Sequence, residues 1–335
     1  MDRPRELVRK ALKFESPQRV PRDQWWQVWT ENEYPSELAA LLKRFPADFA
    51  TPDHKAPVGD RSAFRSGRHV DAWGCVFENI CEGVHGEVKE PVIQAWSDLD
   101  KIKPPMHLID RGLQWVEQAA DKDDHFSMLM FGQLFERMQF LRGTENLFMD
   151  MLEQPRELFE LRDRIHEFNL MAIEAWCKTD LDALSFNDDW GTQKSLLISP
   201  DLWRQLFKPK YRDYAQAAHA AGKFIFMHSD GYITPIIGDL IEIGIDALNS
   251  QLFCMDIEEI GRLYKGKITF WGEIDRQWAL TAGDTQMARD SVKRVYMALY
   301  DPTGGVIAQC QFGPGGRPEN MAAVYETWDQ LTAIV

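Results

Sequence analysis

Apolar residues in this chain gather in short runs, and stretches with a helical period separate them. FSMLMFG at 126–132, DALSFNDDWG at 182–191, KFIFMHSDG at 223–231, GIDALNSQ at 244–251, KITFWGEID at 267–275 and GGVIAQCQ at 304–311 each read as a strand. These runs are apolar on both faces, which suits a parallel sheet wrapped in helices. The intervals predict helices through ERMQFLRG, 155–178, 199–222, 232–243 and 256–264, another before residue 304, and a closing one opened by RPENMAAV. Ser199 is placed to cap the 199–222 helix, with Pro200 at its first position and Gly222 at its end. Upstream, Leu7, Val8, Ala11 and Leu12 give residues 3–14 a helical period. Pro17 and Pro21 end that segment, and VPRDQWWQVW supplies a first strand. Residues 51–105, rich in Gly and Pro and broken by GDRS and SGRH, read as an irregular excursion that covers one mouth of the fold.

The alternation predicts an α/β protein: a single (β/α)8 TIM barrel over residues 1–335, with an N-terminal helical segment and the irregular excursion near one mouth. A doubly wound open sheet is the alternative, and no GxGxxG or GxxxxGK[ST] loop supports a nucleotide-binding version of it. The length of 335 residues fits, because barrels with additions routinely exceed about 250 residues. A net charge of −14 argues against nucleic acid and against an anionic membrane surface. No apolar run reaches the roughly 18 to 20 residues that would span a bilayer. The amino-terminal residues lack a signal-peptide h-region. Cys75, Cys81, Cys177, Cys254 and Cys310 form no CxxC pair and read as reduced thiols in a cytoplasm.

The strand ends carry the candidate chemistry, since a barrel collects its site there. In NDDWG, the adjacent carboxylates Asp188 and Asp189 repel each other, so at least one needs a partner or a raised pKa. Strand alternation aims them differently: one faces the cavity while the other caps the next turn, or both cap or solvate a loop. His228 and Asp230 lie two apart and share a face of an extended segment. They can bind a metal or form an acid/base pair, with Cys310 as a soft third ligand, or His228 is simply a structural histidine. Gly231 would let a ligand approach the backbone. Glu273 and Asp275 straddle another strand end, where Asp275 either caps or contacts substrate. Asn249 and Gln251 end a third run. Glu136, Arg137 and Arg142 follow the FSMLMFG strand, and Asp71 and Trp73 belong to the lid-like excursion. Among the many tryptophans beside polar groups, Trp190 and Trp271 are placed to wall a pocket. The GxSxG and HExxH motifs are absent.

ESPQRVP, NDDWGTQKSLLISPDLWRQLFKP, FMHSDG, GIDALNSQ, FWGEID and the closing GG with RPEN resemble, in this order, the uroporphyrinogen decarboxylase superfamily. The resemblance covers about residue 5 to 333 and implies a TIM barrel with its site at the carboxyl-terminal mouth. Two branches share that barrel. The decarboxylase branch acts on a porphyrinogen without a cofactor and uses an arginine-rich loop near the N-terminus. Here that stretch reads RDQWWQVWTENEYP, and Phe140 lies near the place of that branch's aromatic hydroxyl. The other branch comprises methyltransferases that work with corrinoid proteins, and many of them use zinc held by a His-x-Cys pair and a second cysteine. This sequence keeps His228, has Asp230 at the first cysteine's position, and carries Cys310 near the second. Such a donor set is harder than a thiolate one and favours an oxygen or nitrogen substrate over a thiol.

The resemblance thus implies methyl transfer between a small molecule and a cobalamin-bearing protein. His228, Asp230 and Cys310 would hold zinc, and the superfamily's habit would make the chain a homodimer. Asp188, Asp189, His228 and Glu273 would then act in the chemistry. Porphyrinogen decarboxylation is the alternative, and a barrel that binds a small molecule without turning it over is a second.

Overall fold

The computed structural model describes residues 2–50, 61–118 and 124–332. Its strands are β1 (Trp25–Trp26), β2 (Gly67–Val70), β3 (Val76–Asn79), β4 (Glu87–Glu90), β5 (Met128–Gly132), β6 (Ala183–Asn187), β7 (Phe224–Ser229), β8 (Ala247–Ser250), β9 (Thr269–Trp271), β10 (Val306–Ile307) and β11 (Gln311–Phe312). Strands β5 to β10 form one parallel sheet in which each pairs with its sequence neighbour, helices filling the crossovers. Strand β1 pairs in parallel with β11, and Arg22 bridges Ala308 in the same sense. On its other side Asp48 N donates to Arg22 O at 2.8 Å, and Phe49 bridges Phe126 just before β5. The ring therefore runs β1, the Phe49 segment, β5, β6, β7, β8, β9 and the β10–β11 stretch, the eight staves of a (β/α)8 barrel. Closure leaves the barrel itself without a free edge strand, which is the physical gain of the architecture.

The helix Pro4–Lys13 sits at the amino-terminal end of the barrel. Its Val8 and Leu12 join Phe126, Ala183, Phe226, Ala247 and Ile307 in the barrel interior. Arg5 and Arg9 both bond the fully buried carboxylate of Asp182, at 2.9 and 2.7 Å, so a charge-assisted clip fixes the helix there. Outside the staves, Trp190, Trp203, Phe207, Tyr211 and Tyr214 are fully buried between sheet and helices.

The first strand is shorter than the sequence suggests, since it stops at Trp26 and Val28–Glu33 is helical, and two further segments differ from the sequence reading. The single helix expected over 199–222 is two, Pro200–Leu206 and Lys208–Ala220. Pro209 lacks an N–H and its ring crowds the preceding turn, so the first helix cannot run through it. Ser199 Oγ does cap the first, accepting from Leu202 N at 3.2 Å. The excursion is also more regular than its composition suggests, since β2, β3 and β4 form an antiparallel meander. Residues 51–60 of it, with part of the GDRS turn, lie outside the described residues. Each meander strand is only four residues long, too short for alternation to stand out against the surrounding Gly and Pro.

Candidate active site

Parallel register brings three polar residues into one row at the carboxyl ends of the staves: Asn187 pairs with His228, and His228 with Asn249. His228 Nδ1 lies 2.6 Å from Asn249 Oδ1. Its Nε2 faces two carboxylates, Asp189 Oδ1 at 3.5 Å and Asp230 Oδ1 at 3.4 Å. Asp189 Oδ1 also accepts from Asp230 N at 2.8 Å, which ties the β6–α turn to the end of β7. The site therefore pairs a histidine with two acids from different staves.

The adjacent acids of NDDWG part company. Asp188 is fully buried and accepts from Leu134 N, Glu136 N and Tyr211 Oη, the last at 2.6 Å. Burial pushes its pKa up to about 6 against those hydrogen bonds. It anchors the β5 turn and does not face the cavity. Asp189 turns toward His228, and burial raises its pKa against the pull of the imidazole. Glu136 accepts from Gln133 Nε2 at 2.8 Å and Asn187 Nδ2 at 2.9 Å. Burial, then the charges of Asp189 and Asp188, push it up to about 9, so it is protonated at neutral pH.

Arg276, unremarked in the sequence, is the cation of the site. Its guanidinium bonds Asp230 Oδ2 and Gln311 Oε1 and lies 3.4 Å from Glu273 Oε1. Burial raises Glu273 to about 8, with Arg276 opposing, so it too keeps its proton at neutral pH. Asp275 is a cap, accepting from Gln277 N and Trp278 N. A mouth cavity of about 410 Å³ opens over Trp25, His228, Asp230, Arg276, Gln277 and Gln311, a volume suited to a small ligand.

Beneath that floor the buried Asp23 Oδ2 accepts from two indoles, Trp25 Nε1 at 2.9 Å and Trp271 Nε1 at 2.8 Å. The Trp25 ring stands edge-on to Trp271 and packs against His228 at 5.5 Å. Asp23, Arg276 and Gln311 escaped the sequence reading of the site, and Trp25 stood in it only as one of the tryptophans beside polar groups that could line a cleft. Asp23 and Trp25 lie two apart in an extended segment, the same spacing that singled out His228 and Asp230, and that rule would have found them.

The other candidates fall elsewhere. Trp271 is buried in the barrel interior, and Trp190 is fully buried behind it, stacked on Phe135 at 4.1 Å, so neither lines the cavity. Gln251 accepts from Gly231 N at 3.0 Å. Gly231 serves the backbone of Gly191, which a Cβ would meet at 2.2 Å, and so admits a chain neighbour where the sequence suggested a ligand. Cys310 is fully buried with its thiol on Tyr325 Oη at 3.4 Å, and burial pushes its pKa up to about 12. It stands outside the group of Asp189, His228 and Asp230, whose ligand atoms lie within 4.8 Å of one another. Asp71 pairs with Arg137, whose guanidinium lies over Trp73 and Phe140, while Arg142 is buried on Asp150. These four dock the excursion onto the helix after β5, and none lines the cavity.

The Asp189–His228–Asp230 donors suit a divalent cation. Asp230 Oδ1 is buried without a hydrogen-bond partner, and it and the imidazole Nε2 converge on one point. One nitrogen and two carboxylate oxygens form a borderline-to-hard set that leaves coordination positions open toward the cavity.

Fold and site together define a β/α barrel with an ionisable cluster at its carboxyl-terminal mouth. The uroporphyrinogen decarboxylase (URO-D) family model matches residues 70–331, and the chain belongs to that family. Among solved structures, a methyltransferase from Methanosarcina mazei is 16% identical, with 99% of each chain covered and a TM-score of 0.75, a likeness of fold. A 3-keto-D-glucoside 4-epimerase from E. coli is 11% identical over 73% of this chain and 97% of that one, with a TM-score of 0.38, too distant to inform this chain. No curated protein matches the sequence. No described helix is long and apolar enough to cross a membrane.

Proposed function

We propose that this single-domain barrel is a methyltransferase that takes a methyl group from the oxygen or nitrogen of a small molecule and delivers it to a corrinoid-bearing protein. The observation that carries the reading is the imidazole Nε2 of His228, which lines the cavity with Asp230, set between the carboxylates of Asp230 and Asp189. His228, Asp189 and Asp230 would hold zinc or a similar ion, with Asp189 in the role the sequence gave to Cys310. The ion would supply a Lewis acid for the heteroatom that loses the methyl. Arg276 holds Asp230 by its second oxygen and keeps the first turned toward His228. Trp25 forms the aromatic wall. Glu273, raised to about 8 by burial, lies behind the cavity lining and would give its proton through a bridging water to the heteroatom as the carbon–heteroatom bond breaks and the corrinoid accepts the methyl. A polycarboxylate porphyrinogen is poorly served, because the arginine among the described lining residues is already engaged by Asp230 and Gln311.

The test is to incubate zinc-loaded protein with reduced cobalamin and a panel of methyl ethers, methylamines and methanol, following the corrinoid spectrum. Methylcobalamin formation that is lost in His228→Ala supports the reading. Release of CO2 from a porphyrinogen, with no methylation of cobalamin from any donor, overturns it.

A further inference from the structure

We propose that Asn249 is a positioning residue that fixes the tautomer of His228, within a closed chain of contacts that also fixes the plane of its ring. This rests on the reading of His228 as a ligand. Asn249 is fully buried. Its Nδ2 donates to Trp271 O and, at 3.0 Å, to Gln309 Oε1. The backbone carbonyl of Trp271 can only accept, which settles the orientation of the amide, so the oxygen is what faces His228. An oxygen can only accept, so at 2.6 Å the proton lies on His228 Nδ1. When the ring is neutral its lone pair is then on Nε2, between Asp189 and Asp230. Three acceptors pointing at one another repel unless a cation stands among them.

The ring plane is held from a second direction. Trp271, whose carbonyl anchors Asn249, shares Asp23 with Trp25, and Trp25 packs on the His228 ring. His228, Asn249, Trp271, Asp23 and Trp25 thus close a loop of contacts around the imidazole. A ligand histidine whose other nitrogen is hydrogen-bonded keeps its orientation, and removal of such a partner typically weakens metal binding about 10- to 100-fold.

The experiment uses metal-free, 15N-histidine-labelled protein, with the His228 resonances assigned by their loss in His228→Gln. Long-range 1H–15N spectra should show the wild-type ring protonated at Nδ1. Asn249→Leu should shift the proton toward Nε2 and weaken zinc binding about 10- to 100-fold in a chelator competition. Asn249→Asp, which keeps an acceptor for Nδ1, should restore the wild-type tautomer. A wild-type ring carrying its proton on Nε2 with Nδ1 bare overturns the proposal, and that spectrum needs no variant to fold. Unchanged tautomer and zinc affinity in Asn249→Leu overturn it as well. The tautomer is read without metal or substrate, so a failure of methyl transfer leaves this result separately legible.

Discussion

Asp188 and Asp189 share a peptide bond yet serve opposite sides of the same stave end. Asp188 is wholly enclosed and spends its oxygens on Leu134 N, Glu136 N and Tyr211 Oη, while the Asp189 side chain is 39% exposed and reaches His228 and Asp230 N. One acid holds the scaffold and the other serves the cavity.

Asp188→Ala should therefore destabilise the protein. It strands two backbone donors and a buried phenol, at a cost of about 3 kcal/mol for the unsatisfied group that matters most. Urea unfolding checks this, and a midpoint equal to wild type would remove the anchoring role.

Asp189→Asn should behave the other way. Stability should stay within about 1 kcal/mol of wild type, because the side chain is partly exposed and the asparagine Oδ1 can still accept from Asp230 N. Divalent metal affinity, measured by chelator competition, should fall at least tenfold. A variant that binds metal as well as the parent would take Asp189 out of the ligand set.

Stability should fall with rising pH through the range that Glu273 spans. Its pKa rises from 4.5 to about 8 on folding, chiefly through burial. The unfolded chain gives up this proton first, so the contribution is whole below pH 4.5 and is lost as pH climbs toward 8. One such group contributes a slope of up to about 1.4 kcal/mol per pH unit. Glu136, Asp23 and Asp188 are raised too and add to the same trend. Glu273→Gln, which cannot ionise, should flatten the wild-type curve by one proton's worth in urea titrations at several pH values.

Trp190→Ala should cost about 3 to 5 kcal/mol, as large core truncations do. The indole is fully buried, stacks on Phe135 and donates to Tyr211 Oη at 3.1 Å. Metal affinity measured on the folded fraction should stay at the wild-type value, because the ring lies behind the site.

The sequence displayed the staves because each is a compact apolar run, and displayed the strand-end positions because period two fixes which residues share a face. It could show that Asp188 and Asp189 diverge, but it could not show which faced inward, since that depends on Tyr211, from a distant helix, and on Leu134, in the turn after β5. Arg276 was invisible as a site residue for a similar reason. Its partners Asp230 and Gln311 come from other staves, and a charge after a strand end is ordinarily solvated. Pro209 was visible, yet the apolar period on both sides outweighed it in the reading of one long helix. Cys310 looked like a ligand by its place at a strand end. The structure turns its thiol to Tyr325, on the face that alternation gives to the helices.

The helix Pro4–Lys13, wedged among the interior side chains by Val8 and Leu12, makes the barrel a blind well. Among the described residues the well opens at its carboxyl-terminal mouth, so on the proposed reading an incoming donor and a departing product would use that mouth in turn, and a bulky carrier parked there would bar both. Under the proposed function, exchange at such an opening would be sequential: a small molecule would enter before a carrier seats, and leave only after it lifts away.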